Sequence, residues 1–136
     1  MPSRDSIRRV LLIAGGAALA AAALVHGIVN VPHLREDMLE LGIRRSLVLA
    51  VSLVLYFSVV AMSGFAALVL SAAVSLIRGK APSPAPLWVV AATYVTFGIV
   101  AFVAVHPSPH FLGYTLMGAI VAAGAALTPA RAGAVA

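Results

Sequence analysis

Hydrophobic residues fall in four long runs separated by short polar stretches. The runs cover about 10–31, 46–77, 87–105 and 111–127. Each is close to or longer than the roughly 20 residues with which a helix crosses a hydrocarbon core of about 30 Å. The second run exceeds a straight crossing, so tilt or a protruding end is expected. The pattern predicts an all-α integral membrane four-helix bundle that forms one domain over residues 1–136.

The start of the first run has two interpretations. It follows three arginines and contains alanines 21–23, as a cleavable signal peptide would. However, the apolar stretch continues to Val31, well past those alanines. We therefore expect an uncleaved first span.

The polar stretches between the runs differ in character. In loop one, residues 32–45, opposite charges cancel, and the spacing of Leu34, Met38 and Leu41 predicts a short amphipathic helix at the membrane interface. Loop two, residues 78–86, is basic and rich in proline, which indicates a stiff extended connector.

Composition agrees with a membrane protein and excludes several functions. Hydrophobic residues make up 62% of the chain and charged residues only 10%, against about a quarter charged in soluble domains. The net charge of +5 comes from dispersed basic residues, so it favours a topology signal over nucleic acid as a partner. Cysteine is absent from the sequence, which excludes disulfides, thiolate metal sites and thiol catalysis.

The basic residues are unevenly distributed between the two ends of the spans. Loops one and three hold three of them, offset by three acidic residues, whereas the N-terminus, loop two and the C-terminus together hold six: Arg4, Arg8, Arg9, Arg78, Lys80 and Arg131. The positive-inside rule therefore predicts cytoplasmic N- and C-termini in the cell (inner) membrane.

All four histidines of the sequence fall at the opposite, extracytoplasmic end of the predicted spans: His26, His33, His106 and His110. The spacing of His26, Asn30 and His33 is i, i+4, i+7, which places them on one helical face if the helix continues through Pro32 with a kink. Tyr114 is one turn beyond His110.

The third and fourth runs are joined by a tight turn between two of these histidines. Ser108 is suited to cap the fourth helix, and Pro109 to occupy its first turn. Because His106 precedes a proline, the third helix is expected to end near it.

The four histidines at the extracytoplasmic end of the predicted bundle allow three interpretations. Neutral imidazole is a common ligand of zinc, copper and haem iron. One hypothesis is a zinc or copper site formed by the four histidines, with Asn30 and Tyr114 as outer partners. A second is a haem held axially by His26 and His106. A third is that no cofactor binds, and the imidazoles cap helix ends at the interface.

Catalytic machinery is not indicated by the polar residues of the spans. No acidic residue falls inside a predicted span, so neither a catalytic residue nor a proton relay is predicted. Ser52, Tyr56 and Ser63 share a face of the second run. They form either a polar path below the histidines or, more commonly for such hydroxyls, bonds to their own helix carbonyls.

The first and fourth predicted helices are rich in small residues, which give them a narrow cross-section. The most notable are Gly15, Gly16, Gly118 and Gly124. In lipid, helices associate through close backbone approach. The glycines therefore predict internal packing of the bundle or, alternatively, an oligomer interface.

Two short segments resemble a known group of proteins. Leu24-Val25-His26-Gly27 late in the first run, and Phe111-Leu112-Gly113-Tyr114 after the proline-rich turn, resemble small bacterial four-helix membrane proteins of the DoxX-like kind. The resemblance implies a fold and transfers no catalytic residue.

Two functions are supported as hypotheses. The first is a non-catalytic accessory or scaffold subunit that packs in the lipid bilayer on another membrane protein or on its own copies. The second is a protein that binds a metal, haem or small ligand through the outward histidines. They differ in whether His26, His106 and His110 converge.

Overall fold

The computed structural model describes residues 3–104 and 107–127, and within them all regular structure is helical. The elements are α1 (Arg4–Val25), a π-helical turn (His26–Asn30), α2 (Val31–Glu40), α3 (Arg45–Ile77), α4 (Ala85–Ala104) and α5 (Pro109–Ala126). The first three form one continuous helix of 37 residues. In this part of the chain, four helices are thus long and apolar enough to cross a membrane.

The helices form a bundle that is open on one side. α1 packs against both α3 and α5, and α4 packs against α5, whereas α3 and α4 make few contacts. The most deeply buried apolar side chains are Leu12, Leu19, Val69, Leu87, Val90 and Val121. The resulting order α3–α1–α5–α4 leaves a gap between its first and last members.

The first helix continues past Val31, where the predicted first span ends. The Val31 N–H donates to the carbonyl of His26, five residues earlier, which defines the π-helical turn. Proline lacks an N–H, and its ring clashes with the carbonyl four residues before it. A wider π turn accommodates both effects without ending the helix. Consequently the predicted loop of residues 32–45 shrinks to residues 41–44. A helix, α2, does form in the predicted place, but it continues the first helix, and Leu41 lies outside it with 79% of its surface exposed.

The ends of α2 and α3 and the start of α5 follow from the local sequence. α2 and α3 each end at a glycine with positive φ, Gly42 (73°) and Gly79 (71°). In each case the N–H of the residue after the glycine donates a hydrogen bond to the carbonyl five residues before it. The N···O distances are 3.1 Å for Ile43 and 2.9 Å for Lys80, and this is the Schellman motif. Ser108 caps α5 by accepting from the His110 N–H at 3.4 Å, and Pro109 opens the helix, as predicted.

Glycines make the close contacts between helices. A Cβ on Gly98 of α4 would collide with Thr115, and one on Gly118 of α5 would lie 2.8 Å from backbone atoms of α4. On α1, a Cβ on Gly16 would lie 2.7 Å from the Leu70 side chain. These glycines therefore serve internal packing, as one of the two interpretations of the sequence predicted.

Candidate functional site

The gap between α3 and α4 forms a cleft of about 350 Å³. Five aromatic side chains contribute to its walls: Phe57, Phe65, Tyr94, Phe97 and Tyr114. The rings of Phe97 and Tyr114 pack edge to face with centroids 5.2 Å apart, and Tyr94 lies 6.1 Å from both Phe65 and Tyr114. α5 and the π-helical turn contribute one residue each, so four elements meet here.

Helical periodicity places these side chains on facing surfaces. On α3, Ser58, Met62 and Phe65 line the cleft at spacing i, i+4, i+7, which is one face of a helix. On α4, Thr93 and Phe97 line it at spacing i, i+4. The two faces are separated at the cleft because α4 packs on α5 rather than on α3.

Two hydroxyls of the cleft are satisfied within their own helices. Ser58 donates to the Val54 carbonyl at 3.0 Å, and Thr93 donates to the Val89 carbonyl at 2.9 Å. This is the self-bonding behaviour that the sequence predicted for hydroxyls in spans. Few polar atoms of the cleft residues that the structure describes therefore lack a hydrogen-bond partner within their own helix.

Among the described cleft residues, His26 and Tyr94 are the two with a polar atom that is buried without a hydrogen-bond partner. His26 Nδ1 and the Tyr94 hydroxyl are buried without a hydrogen-bond partner in the described part of the chain. The hydroxyl of Thr115, beside Tyr114, is in the same situation. Buried polar atoms are nearly always hydrogen-bonded in proteins, so His26 and Tyr94 mark the place where a ligand atom would be accommodated.

Gly27 holds His26 beside α3. A Cβ on Gly27 would lie 3.0 Å from the Cγ1 atom of Val59, so this part of the π-helical turn lies directly on α3. Because π turns are concentrated at functional sites, the turn itself adds to the case for this cleft.

The histidines do not converge as a metal site in the described residues. His33 lies on the surface, with 76% of its side chain exposed and its Nε2 3.9 Å from Asp37 Oδ2. The π-helical turn explains this, because one extra residue in a turn rotates the remainder of the helix by about 100°. The predicted common face of His26, Asn30 and His33 is therefore wrong.

His110 is closer to the cleft but outside it. Its ring packs edge-on against Tyr114 with centroids 5.2 Å apart. His106 lies outside the described residues. Among those described, no group of three or more His, Cys, Asp or Glu side chains is placed to hold a metal ion.

The predicted polar path on the second span is also corrected. Tyr56 is 45% exposed, and Ser63 is exposed and bonded to its own helix at 2.9 Å. Only Ser52 is buried, and it donates to the Val48 carbonyl at 2.7 Å. Sequence reasoning missed Phe65 and Phe97 instead, because an aromatic residue in an apolar run has no signal that distinguishes a cleft from lipid.

Comparison of the chain with protein-family models, with curated proteins and with solved structures gives no match. The candidate site therefore stands on its own geometry.

Proposed function

We propose that this protein is a multi-pass membrane protein that binds a small lipophilic ligand in the cleft between α3 and α4. The observation that carries the proposal is that His26 and Tyr94, which both line the aromatic cleft, each have a buried polar atom without a hydrogen-bond partner among the described residues.

Membrane insertion is supported by the outer surface of the helices. Large apolar side chains point outward on every helix, for example Ile28 (71% exposed), Val60 (69%) and Val103 (78%). In water an apolar surface of this extent would be costly, whereas in lipid it is favourable. We further propose, from the positive-inside rule, that α1 begins on the cytoplasmic side and that His26 lies near the outer side.

The chemistry of the cleft defines the ligand class. A volume of about 350 Å³ falls in the usual range of roughly 300–1,000 Å³ for small-molecule sites. Aromatic walls suit an apolar or aromatic body. A tyrosine hydroxyl donates or accepts, and a histidine nitrogen donates or accepts according to its tautomer, so the ligand carries at least one hydrogen-bonding atom, such as a carbonyl or hydroxyl oxygen.

An organic ligand fits these residues better than a metal. The described part of the cleft offers one imidazole and no carboxylate, whereas zinc sites use three or four protein ligands. An axial haem pair would require His106, which the structure does not describe. Each unmet hydrogen bond costs about 1–3 kcal/mol, and a ligand oxygen would recover that free energy on binding.

The test is the binding of a fluorescent dye with an apolar body and one carbonyl oxygen to the protein in lipid nanodiscs, with mass spectrometry of molecules that co-purify. We expect His26→Leu to weaken dye binding about tenfold, as loss of one buried hydrogen bond would. His33→Leu is the matched control, since His33 is exposed, and it should bind like the wild type. Equal binding by both variants, or no saturable binding, would refute the proposal.

A second function, the accessory or scaffold subunit, is favoured by a different observation. α3 has 33 residues and α4 has 20, or about 50 and 30 Å at 1.5 Å per residue. Phe65 contacts Tyr94, so the first turns of α3 extend beyond α4. Leu47 (56%) and Leu53 (62%) are exposed there. A defined complex with another membrane protein, lost on Leu53→Ser, would support this role.

A further inference from the structure

Arg8 is buried although it is charged. It lies in the second turn of α1, directly before the apolar run that begins at Val10, and its side chain has no exposed surface. Its Nε donates to the Gly124 carbonyl of α5 at 3.3 Å. Its Nη1 and Nη2 atoms have no hydrogen-bond partner among the residues that the structure describes.

Capping of α5 by Arg8 uses only part of the hydrogen-bonding capacity of its guanidinium group. A guanidinium carries five N–H donors, and the contact with the α5 carbonyl uses the one on Nε. Topology does not explain the burial either, because the exposed Arg4 provides the same positive charge one turn earlier. Leaving the remaining donors of a buried cation without acceptors is strongly unfavourable, so an acceptor is expected.

The surroundings of Arg8 are short of anions. Gly16 contacts Leu70 and Gly27 contacts Val59, so α1 and α3 are antiparallel, and the end of α3 lies beside the start of α1. This end of the bundle therefore gathers the cations Arg4, Arg8, Arg9, Arg78 and Lys80, with Asp5 as the acid of the first turn. A second buried donor without a partner, Arg9 Nε, lies next to Arg8.

We propose that Arg8 binds the phosphate group of an anionic phospholipid at this end of the bundle, with its side chain, which is enclosed against α5 in this structure, turning outward to reach the headgroup. Arginine binds phosphate through paired, charge-assisted hydrogen bonds, which is the geometry that its two Nη atoms offer. Arg8 stands where the apolar run begins, which is the level of lipid phosphates for a helix that crosses the bilayer. The surrounding positive charge selects an anionic headgroup over a zwitterionic one.

The test compares Arg8→Gln with Arg4→Gln, a matched control that removes the same charge from an exposed position at the same end. Native mass spectrometry would measure retention of phosphatidylglycerol and phosphatidylcholine, and thermal unfolding would be followed with each lipid and with inorganic phosphate alone. We expect the wild type to retain phosphatidylglycerol selectively. Arg8→Gln should weaken that retention about tenfold or more, as loss of a charge-assisted pair would, and Arg4→Gln less than about threefold, as an exposed charge would.

Three results would overturn the proposal. Equal loss in both variants would indicate general attraction to the basic surface. Destabilisation of Arg8→Gln to the same extent in every lipid, with retention unchanged, would make Arg8 a helix cap only. Stabilisation by inorganic phosphate as strong as that by phosphatidylglycerol would assign the site to a soluble anion. If Arg8→Gln does not fold, Arg8→Lys keeps the charge and removes the paired geometry, so it should still weaken retention of phosphatidylglycerol relative to the wild type.

Discussion

At the scale of single residues, two tyrosines of the bundle show how position decides the use of a hydroxyl. Tyr94 is 4% exposed, and its hydroxyl has no partner in the described residues, whereas Tyr56 is 45% exposed on α3. A buried hydroxyl without a partner destabilises the protein that contains it. Such a group persists where it serves something other than stability, which here is the proposed ligand.

This contrast leads to a prediction for Tyr94→Phe. The substitution removes the unpartnered hydroxyl and keeps the ring that packs on Phe65. We expect the unliganded protein to be more stable by about 1 kcal/mol, measured by reversible unfolding in mixed micelles. Dye binding in nanodiscs should weaken in the same variant, because a donor to the ligand is lost.

Tyr56→Phe is the control for this experiment, because the same atom is removed from an exposed position. It should change neither stability nor binding by more than about 0.5 kcal/mol. A Tyr94→Phe variant that is less stable than the wild type, with binding unchanged, would show that the hydroxyl has a structural partner and would argue against the site.

At the scale of elements, α4 and α5 depend on close backbone contact. Gly98 and Gly118 lie where these helices touch, and an added Cβ at either position would meet backbone atoms at 2.7–2.8 Å. Backbone atoms do not move aside as a flexible side chain does, so the helices would have to separate. The α4 wall of the cleft would move with them.

We therefore expect Gly98→Ala and Gly118→Ala to destabilise the protein by about 1–3 kcal/mol, the usual cost of overpacking. Gly64→Ala is the matched control, because nothing lies within 4 Å of a Cβ at that position of α3. It should be neutral or stabilising by up to about 1 kcal/mol, since alanine favours helix over glycine. Unfolding measurements that rank Gly64→Ala with the other two would contradict the packing described here.

At the scale of the whole molecule, the two halves have different lengths. The helix from Arg4 to Glu40 and α3 contain 37 and 33 residues, whereas α4 and α5 contain 20 and 18. A bilayer of about 30 Å matches the shorter pair, so the longer pair must tilt or project. The α2–α3 end would then extend toward the side where the cleft histidine lies.

Topology can be measured directly because the sequence contains no cysteine. We expect a single cysteine at Ser83, in the α3–α4 connector, to be protected from a membrane-impermeant maleimide in intact cells. A cysteine at Leu41, between α2 and α3 and 79% exposed, should react. The physical reason is the excess of basic residues at the Ser83 end.

Labelling after membrane permeabilisation is the control, since both positions are exposed and should then react equally. The reverse pattern in intact cells would invert the proposed orientation. Protection of both positions in intact cells and labelling of both in permeabilised cells would place the two loops on one side, which a helix crossing between them does not allow.

The sequence by itself determined the helices. Four apolar runs of sufficient length predicted four apolar helices, and Ser108 with Pro109 predicted the start of α5. These features are local, because hydrogen bonds in a helix join near neighbours and a cap depends on a few adjacent side chains. The orientation in the membrane stays a prediction of the charge distribution.

Tertiary structure decided the rest. The apolar run predicted a span that ends near Val31, yet the helix continues because Val31 and Met38 are buried as α2 packs on α3, and packing of this kind outweighs a local preference. The cleft depends on α4 packing with α5 rather than α3, and on a π turn that separates His26 from His33. Neither can be read from spacing along the chain, because which apolar faces meet is settled only when all helices pack together.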